Sequence, residues 1–193
     1  MPVNASNEKL GWSAPDFSLI DVSGDKMSLN HLTGENGTVI AFICNHCPYV
    51  LAIADRLSFE ANELKKISIN TIAIMSNDVD KYPEDSYENM INFAKKYSFK
   101  FPYLFDESQL VAKAYGAVCT PDIFGFNKDN KLAYRGRIDS GVMNSDISKI
   151  DRELYQAMVK IKNNNTGPAK QFNSFGCSIK WKTTYIKEIS WTC

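Results

Sequence analysis

A chain of 193 residues is long enough to bury a substantial core in one domain, and its 44% hydrophobic and 23% charged residues are typical of a folded globular protein. A formal net charge of zero argues against a chain-wide basic surface for nucleic acid or anionic membrane. No apolar run approaches membrane-spanning length, the first twelve residues lack signal-peptide features, and five cysteines are too few for a secreted disulfide framework. We therefore expect a cytoplasmic protein without nucleic-acid or membrane partners.

The beginning of the chain predicts a β-hairpin ahead of the main sheet. Residues 1–13 are polar and predict an extended or loose lead-in. A short strand over 14–19, a Ser-Gly-Asp turn signal at 23–25 and a return strand over 27–29 follow. A loop over 34–37 leads to the central strand.

The stretch from 38 to 50, TVIAFICNHCPYV, joins a strand to a helix and carries two cysteines. The apolar run 39–43 has the length and β-branched content of a strand buried on both faces. After Pro48 the apolar residues recur at helical spacing, which predicts a helix over 48–66. Proline suits the first helical position because its missing N–H has no partner there, so we expect Cys47 at the helix N-cap.

Cys44 and Cys47 make this junction a candidate redox site. Free N–H groups and the helix dipole favour an anion at a helix N-terminus, so we expect Cys47 to be a solvent-accessible thiolate, reactive toward disulfides and peroxides. The alternatives are a small buried hydrophobic residue, or a metal site made of Cys44, His46 and Cys47. A Cys-x-x-Cys pair at such a junction in an intracellular chain favours the redox interpretation. Structural zinc needs a fourth ligand that the sequence does not offer, so we expect no metal and no other cofactor.

The next elements predict a parallel strand pair. An apolar run at 71–75 is a second buried strand, and strand, helix and strand within about forty residues make a βαβ unit. The polar loop 77–85 then lies at the same sheet edge as Cys47, where α/β proteins place ligands. A helix over 86–97, an extended segment over 101–105 and a small helix over 108–115 follow.

Thr120-Pro121 precedes a strand of large apolar residues that ends at Phe126, since proline is allowed at the first residue of a strand. The turn 127–130 and a strand over 131–137 complete a second hairpin.

The end of the chain predicts one more helix and a tail. An amphipathic pattern covers 147–162, and a breaker follows at 163–168. The remaining residues are too apolar for a disordered segment and are expected to pack on the domain or on a partner chain. We therefore predict a domain over 1–168 and a C-terminal extension over 169–193.

This order of elements, with Thr-Pro before the fourth core strand, resembles a thioredoxin-like fold, and Cys47-Pro48-Tyr49 resembles the start of glutaredoxin active sites. The chain is similar to the peroxiredoxin-like branch of the alkyl hydroperoxide reductase/thiol-specific antioxidant (redoxin) superfamily over the segments 14–17, 44–50, 82–86, 102–107, 119–122, 134–139 and 176–182. The resemblance implies an α/β protein with a central mixed sheet flanked by helices, an N-terminal β-hairpin and a C-terminal extension. It also implies an oxidoreductase with antioxidant activity and a redox-active cysteine.

The resemblance assigns the nucleophile to Cys47, which has the spacing from Phe42 that the first thioredoxin cysteine has from a strand phenylalanine. The second thioredoxin cysteine would fall at Val50, so a resolving thiol must come from elsewhere. The candidates, in order of preference, are Cys44, Cys119 and Cys177.

Several neighbours are expected to support the thiol. His46 would stabilise the thiolate or shuttle a proton, or else face solvent, and Pro48 begins the helix. By analogy with thioredoxin, Thr120 and Pro121 form a loop whose proline, if cis, presents backbone groups to an extended substrate. Candidates for shaping the pocket are Asn45, Tyr49 and Asp122.

The peroxidase interpretation has a specific weakness. Peroxiredoxins resemble one another in a Thr or Ser three residues before the peroxidatic cysteine, and relative to Cys47 that position holds Cys44. An arginine would have to come from Arg135 or Arg137, which alternate on a strand, and both are expected to be ordinary surface charges.

We therefore predict a thiol–disulfide oxidoreductase that acts on a protein or small-molecule disulfide and is recycled by a thiol reductant such as thioredoxin or glutathione. One alternative is a thiol peroxidase, in which peroxide oxidises Cys47 to a sulfenic acid. Another is a non-catalytic thioredoxin-fold binding domain whose apolar tail forms an interface, including a possible homodimer.

Overall fold

The computed structural model describes residues 2–5, 10–141 and 149–183. Its strands are β1 (Pro2–Asn4), β2 (Ser18–Asp21), β3 (Lys26–Ser28), β4 (Gly37–Phe42), β5 (Ile69–Met75), β6 (Tyr103–Phe105), β7 (Cys119–Thr120), β8 (Asp122–Phe126), β9 (Leu132–Gly136) and β10 (Phe175–Ser178). Its helices are α1 (Leu29–Leu32), α2 (Pro48–Leu51), α3 (Ala54–Lys65), α4 (Tyr87–Lys96), α5 (Leu110–Ala114) and α6 (Glu153–Asn164), with a 3-10 turn at Pro83–Asp85. Within the described ranges no helix is long and apolar enough to cross a membrane.

A seven-stranded mixed sheet has the order β3-β2-β6-β5-β4-β8-β9. The pairs β4–β5 and β5–β6 are parallel, and the other neighbours are antiparallel. All six residues of β4 are buried, as the uninterrupted apolar run predicts. The predicted βαβ unit and both predicted hairpins are therefore present.

Helices cover both faces of this sheet. Successive side chains of β4 point to opposite faces, so the strand contributes to two separate cores. Val39 and Ala41 belong to the core under α3, α4 and α6. Ile40 and Phe42 belong to a second core with α1 and α5.

Two helix predictions need correction. The helix expected over 48–66 is interrupted: α2 ends at Leu51 and α3 begins at Ala54, with Ile53 at φ −115° between them. The helix expected over 147–162 begins only at Glu153, with residues 142–148 outside the described ranges, and it ends at Asn165 in a left-handed conformation.

A separate three-stranded antiparallel sheet has the order β1-β10-β7. It ties residues near both ends of the chain to the loop before β8, so part of the predicted extension packs on the domain as a strand. The predicted boundary after residue 168 stays a prediction, and Tyr185, Ile186, Trp191 and Cys193 lie outside the described residues.

Candidate active site

The two cysteines lie where β4 runs out toward α2. Cys47 is the N-cap residue of α2 and Pro48 occupies the first helical turn, as expected from the sequence. Both cysteines are buried, and Cys47 has no exposed surface. The expectation of a solvent-accessible Cys47 is therefore wrong for this structure, although its sulfur has other thiols as neighbours.

Thr120 contacts both thiols from across the sheet edge. Its carbonyl oxygen accepts a hydrogen bond from the Cys47 thiol at 3.2 Å, and its hydroxyl lies 3.2 Å from the Cys44 sulfur at hydrogen-bonding distance. The peptide bond between Thr120 and Pro121 is cis, as the thioredoxin resemblance implies. The predicted supporting residue Thr120 therefore lies at the centre of the thiol pair.

The pKa values of the two cysteines are driven in opposite directions. A hydrogen bond from Cys44 is the largest cause lowering the pKa of Cys47, and Cys177 and the amides of Val50 and Cys177 act in the same direction, against the effect of burial. The pKa of Cys44 is raised, first by its hydrogen bond to Cys47, then by burial and by the charge of Asp85. These opposite shifts favour loss of the proton from Cys47 before Cys44.

The cause of this shift differs from the one expected. The helix α2 has only four residues, so its dipole is small, and the main stabilising group is the neighbouring thiol. The Thr120 carbonyl acts in the opposite direction, because it accepts a hydrogen bond only from the neutral Cys47 thiol.

The structure reverses the expected order of Cys119 and Cys177 as resolving thiols for Cys47. Strand β10 pairs Cys177 with Thr120, and Cys177 packs against the buried cluster that contains Cys47. Burial, followed by the contact with Cys47, raises the pKa of Cys177 to about 11. The Cys119 thiol instead donates to the carbonyl of Pro121 at 3.6 Å, and burial raises its pKa. As a partner of Cys47, Cys177 is therefore better placed than Cys119.

An imidazole–carboxylate pair lies beside Cys44. The Nδ1 atom of His46 is 2.8 Å from a carboxylate oxygen of Asp85, and the His46 ring stacks on Tyr82 at 5.8 Å between centroids. Ligand atoms of Cys44, His46 and Asp85 lie within 4.8 Å of one another. His46 thus points inward to a buried carboxylate, although part of its surface is exposed.

Asp85 is the functional residue that sequence reasoning missed. It is fully buried, and its carboxylate accepts hydrogen bonds from the Asn45 amide at 2.8 Å and the Asn77 side chain at 2.7 Å. Its position in the polar loop at the predicted ligand edge, inside the 82–86 segment of the family resemblance, was the available signal.

Cys44, His46 and Asp85 also form a possible metal-ligand set of thiol, imidazole and carboxylate. It differs from the Cys44, His46 and Cys47 set considered from the sequence. Both oxygens of Asp85 accept hydrogen bonds from protein groups, which fix the orientation of the carboxylate.

Both candidate arginines are engaged in ion pairs with carboxylates. Arg135 is buried, not at the surface as expected, because it forms an ion pair with buried Asp122 at 2.9 Å. Arg137 pairs with Glu153 at 2.7 Å. Asp122, a candidate for shaping the pocket, is thus engaged by Arg135 instead.

A cavity of about 400 Å³ opens beside α2 and Pro121. Its walls are mainly apolar and include Tyr49, Ile53, Pro121, Ile138 and Phe175. The predicted pocket residue Tyr49 therefore lines it, whereas the Asn45 side chain accepts a hydrogen bond from the Tyr103 hydroxyl at 2.9 Å.

Solved structures place the chain in a known structural class. A conserved protein from Geobacillus kaustophilus, described as uncharacterized, superposes with a TM-score of 0.90 at 41% identity, over 95% of this chain and 98% of that one. The thioredoxin domain of an oxidoreductase from Bacteroides vulgatus superposes with a TM-score of 0.57 at 17% identity, over 67% and 89% of the two chains. The second comparison shows the fold alone, and it confirms the predicted thioredoxin-like class.

Sequence comparisons give the family. Thiol-disulfide oxidoreductase ResA of Bacillus thuringiensis is 27% identical over 127 residues, which cover 64% of this chain and 67% of that protein. Chloroplastic peroxiredoxin Q of Oryza sativa subsp. japonica is 32% identical over 117 residues, or 60% and 48% of the two chains. The family model described as AhpC/TSA matches residues 10–135, so the resemblance noted from the motifs is confirmed and the chain belongs to the AhpC/TSA family.

Proposed function

We propose that this protein is a thiol–disulfide oxidoreductase in which Cys47 is the nucleophile and Cys44 the second thiol. The observation that carries the proposal is the placement of two thiols at the start of α2, each 3.2 Å from an oxygen atom of Thr120. The opposite directions of their pKa shifts assign the nucleophile to Cys47. Similarity to thiol-disulfide oxidoreductases supports the reaction type.

The first step is attack of the Cys47 thiolate on a substrate disulfide. A bond forms between the Cys47 sulfur and one substrate sulfur, and the other substrate sulfur leaves as a thiolate and takes a proton. Cys47 loses its charge in the mixed disulfide. Cys44 thereby loses the acceptor that does most to raise its pKa, so it becomes easier to ionise when its thiolate is needed.

The second step releases the product. Cys44 gives its proton to the His46–Asp85 pair, which lies within 4.8 Å, and attacks the Cys47 sulfur. The substrate sulfur that was bonded to Cys47 leaves as a thiolate and takes a proton from solvent, and the protein keeps a Cys44–Cys47 disulfide. Two electrons from a thiol reductant, such as thioredoxin or glutathione, restore both thiols.

A thiol peroxidase is the second candidate, favoured by the similarity to peroxiredoxin Q and by the low pKa of Cys47. Peroxide would convert the Cys47 thiolate to a sulfenic acid, and Cys44 would then displace water to form the same disulfide. The oxidoreductase is better supported, because Arg135 and Arg137 are held in ion pairs and the nearby Thr120 hydroxyl contacts Cys44.

Reduction of hydroxyethyl disulfide, with glutathione as electron donor, tests the proposal alongside a peroxide-consumption assay. We expect Cys47→Ser to abolish disulfide reduction. We expect Cys44→Ser combined with Cys177→Ser to trap the mixed disulfide with substrate when glutathione is left out. The matched control is Cys119→Ser, a buried cysteine that hydrogen-bonds away from the pair. Loss of activity in the control but not in Cys47→Ser would refute the assignment, and activity on peroxide alone would favour the second candidate. A cytoplasmic location and a homodimer formed through the extension remain part of the proposal.

A further inference from the structure

Strand β10 pairs with the backbone edge of β7, beside the proposed nucleophile Cys47. Its register places Cys177 opposite Thr120 and Ser178 opposite Cys119. The amide of Ile179 continues this pairing by donating to the carbonyl of Val118 at 3.0 Å. The edge that contacts both thiols is therefore occupied by the chain's own C-terminal segment.

The fit of this strand against the site is close. Gly176 is buried, and a Cβ atom added there would overlap the carbonyl oxygen of Thr120 and approach the Pro121 ring at 3.0 Å. The Phe175 ring meets the Tyr49 ring edge-on, with centroids 5.1 Å apart. The strand thus pairs with β7 along one edge and packs its Phe175 ring against the first turn of α2.

The cysteine of this strand lies beside the nucleophile. Cys177 is only partly buried and pairs with Thr120, whose carbonyl oxygen lies 3.2 Å from the Cys47 sulfur, whereas Cys47 is covered completely. An extended polypeptide with a disulfide would need the same two things: a free backbone edge at Thr120 and a sulfur in contact with Cys47. Strand β10 provides both from within the chain.

We propose that Phe175–Ser178 is an internal substrate mimic, which competes with extended polypeptide disulfides for the Thr120 edge and excludes them while it is seated. The proposal rests on the proposed function and names its substrate class: a cysteine in an extended segment, preceded by glycine at the Gly176 position and an aromatic residue at the Phe175 position. Strand β1, which pairs with the outer edge of β10, moves with it when the edge opens.

The substitution Gly176→Ala tests the mimic, because the added methyl group meets backbone atoms that cannot move aside as a side chain can. The measurement is the rate of insulin reduction divided by the rate of hydroxyethyl disulfide reduction. We expect this ratio to rise about tenfold over that of the wild type, since the strand opens more often and the large substrate depends most on opening.

A second variant keeps the test valid if Gly176→Ala does not fold, as judged by its circular dichroism. Phe175→Ala removes the ring contact with Tyr49 and should raise the same ratio by about threefold. Its matched control is Phe172→Ala, an aromatic residue of similar exposure (39% against 45%) that lies outside β10 and packs on Arg137.

The outcomes separate this inference from the proposed function. Equal ratios in the wild type and in the folded variants overturn the mimic while leaving the oxidoreductase intact. A rise in Phe172→Ala equal to that in Phe175→Ala overturns it as well. Failure of every protein, wild type included, to reduce hydroxyethyl disulfide refutes the proposed function and the mimic with it.

Discussion

Replacing Cys44 by alanine should raise the pKa of Cys47. In the wild type the hydrogen bond from Cys44 is the largest cause that lowers this pKa, and the substitution removes it. The Thr120 carbonyl remains in place and accepts a hydrogen bond only from the neutral thiol, so it favours the protonated form of Cys47 and raises its pKa. Both effects have the same sign and favour the protonated form of Cys47.

The size of the shift follows from the strength of one hydrogen bond. A hydrogen bond to a charged group contributes about 1.5–3 kcal/mol, and one pKa unit corresponds to about 1.4 kcal/mol, so the pKa of Cys47 should rise by about 1–2 units. Ultraviolet thiolate absorbance followed against pH gives the midpoint, after subtraction of the curve for the corresponding Cys47→Ser variant. This measurement needs no access to the buried sulfur.

Two controls make the result specific. Cys44→Ser keeps a hydrogen-bond donor at the same position, so the pKa of Cys47 should rise less than in Cys44→Ala. Cys119→Ser should leave the pKa of Cys47 at the wild-type value. An unchanged midpoint in Cys44→Ala would refute the idea that Cys44 stabilises the Cys47 thiolate. The assignment of Cys47 as nucleophile and Cys44 as second thiol would then lose its basis.

Three further predictions concern the same cluster. Asp85→Asn should slow product release by about 100-fold and accumulate the mixed disulfide, seen by mass spectrometry, while the reduced variant without substrate keeps the thiolate absorbance of Cys47. Oxidation of the wild type should give a Cys44–Cys47 disulfide in peptide mapping, and Cys44→Ser should give Cys47–Cys177, because that thiol is the other hydrogen-bond partner. Because the pKa of Cys47 is lowered to about 4 on folding, the reduced protein should gain unfolding free energy over Cys47→Ser as pH rises from about 4 to about 8.5 in urea titrations. Above that range the raised pKa of Cys44 should reverse the trend, and a flat difference would contradict both assignments.

Local patterns were enough to predict the strand-to-helix junction. The apolar run before Cys44 forms a strand buried on both faces, and Pro48 begins a helix with Cys47 as its N-cap. These features depend on neighbours along the chain, so periodicity and the special geometry of proline reveal them. The break at Ile53 was not predictable in this way, because the apolar spacing continues through it without a glycine or proline.

The contacts that create the site are not local. Thr120 lies 76 residues from Cys44 in the sequence, and the Asp85 carboxylate comes 40 residues after the Asn45 amide that donates to it. The strand that pairs with Thr120 beside Cys47 comes from the tail, whose apolar character indicated packing without indicating where. Periodicity assigns an element and a face, whereas partners across a sheet edge depend on the tertiary fold.

In the proposed reaction the second cysteine of the pair is the nucleophile, and Asp85 adds to the effects of Cys47 and of burial that keep the first cysteine protonated. Its charge raises the pKa of Cys44, which faces the carboxylate, while the hydrogen-bond donors of Cys44 and Cys177 converge on Cys47. One negative charge in a buried cluster disfavours a second charge nearby, so ionisation is directed to the sulfur farther from the carboxylate and richer in donors. The same carboxylate, paired with His46, is then the acceptor for the Cys44 proton once Cys47 is neutralised in the mixed disulfide. A single buried acid on the loop after β5 thus supports both steps, keeping Cys44 protonated before attack and accepting its proton afterwards.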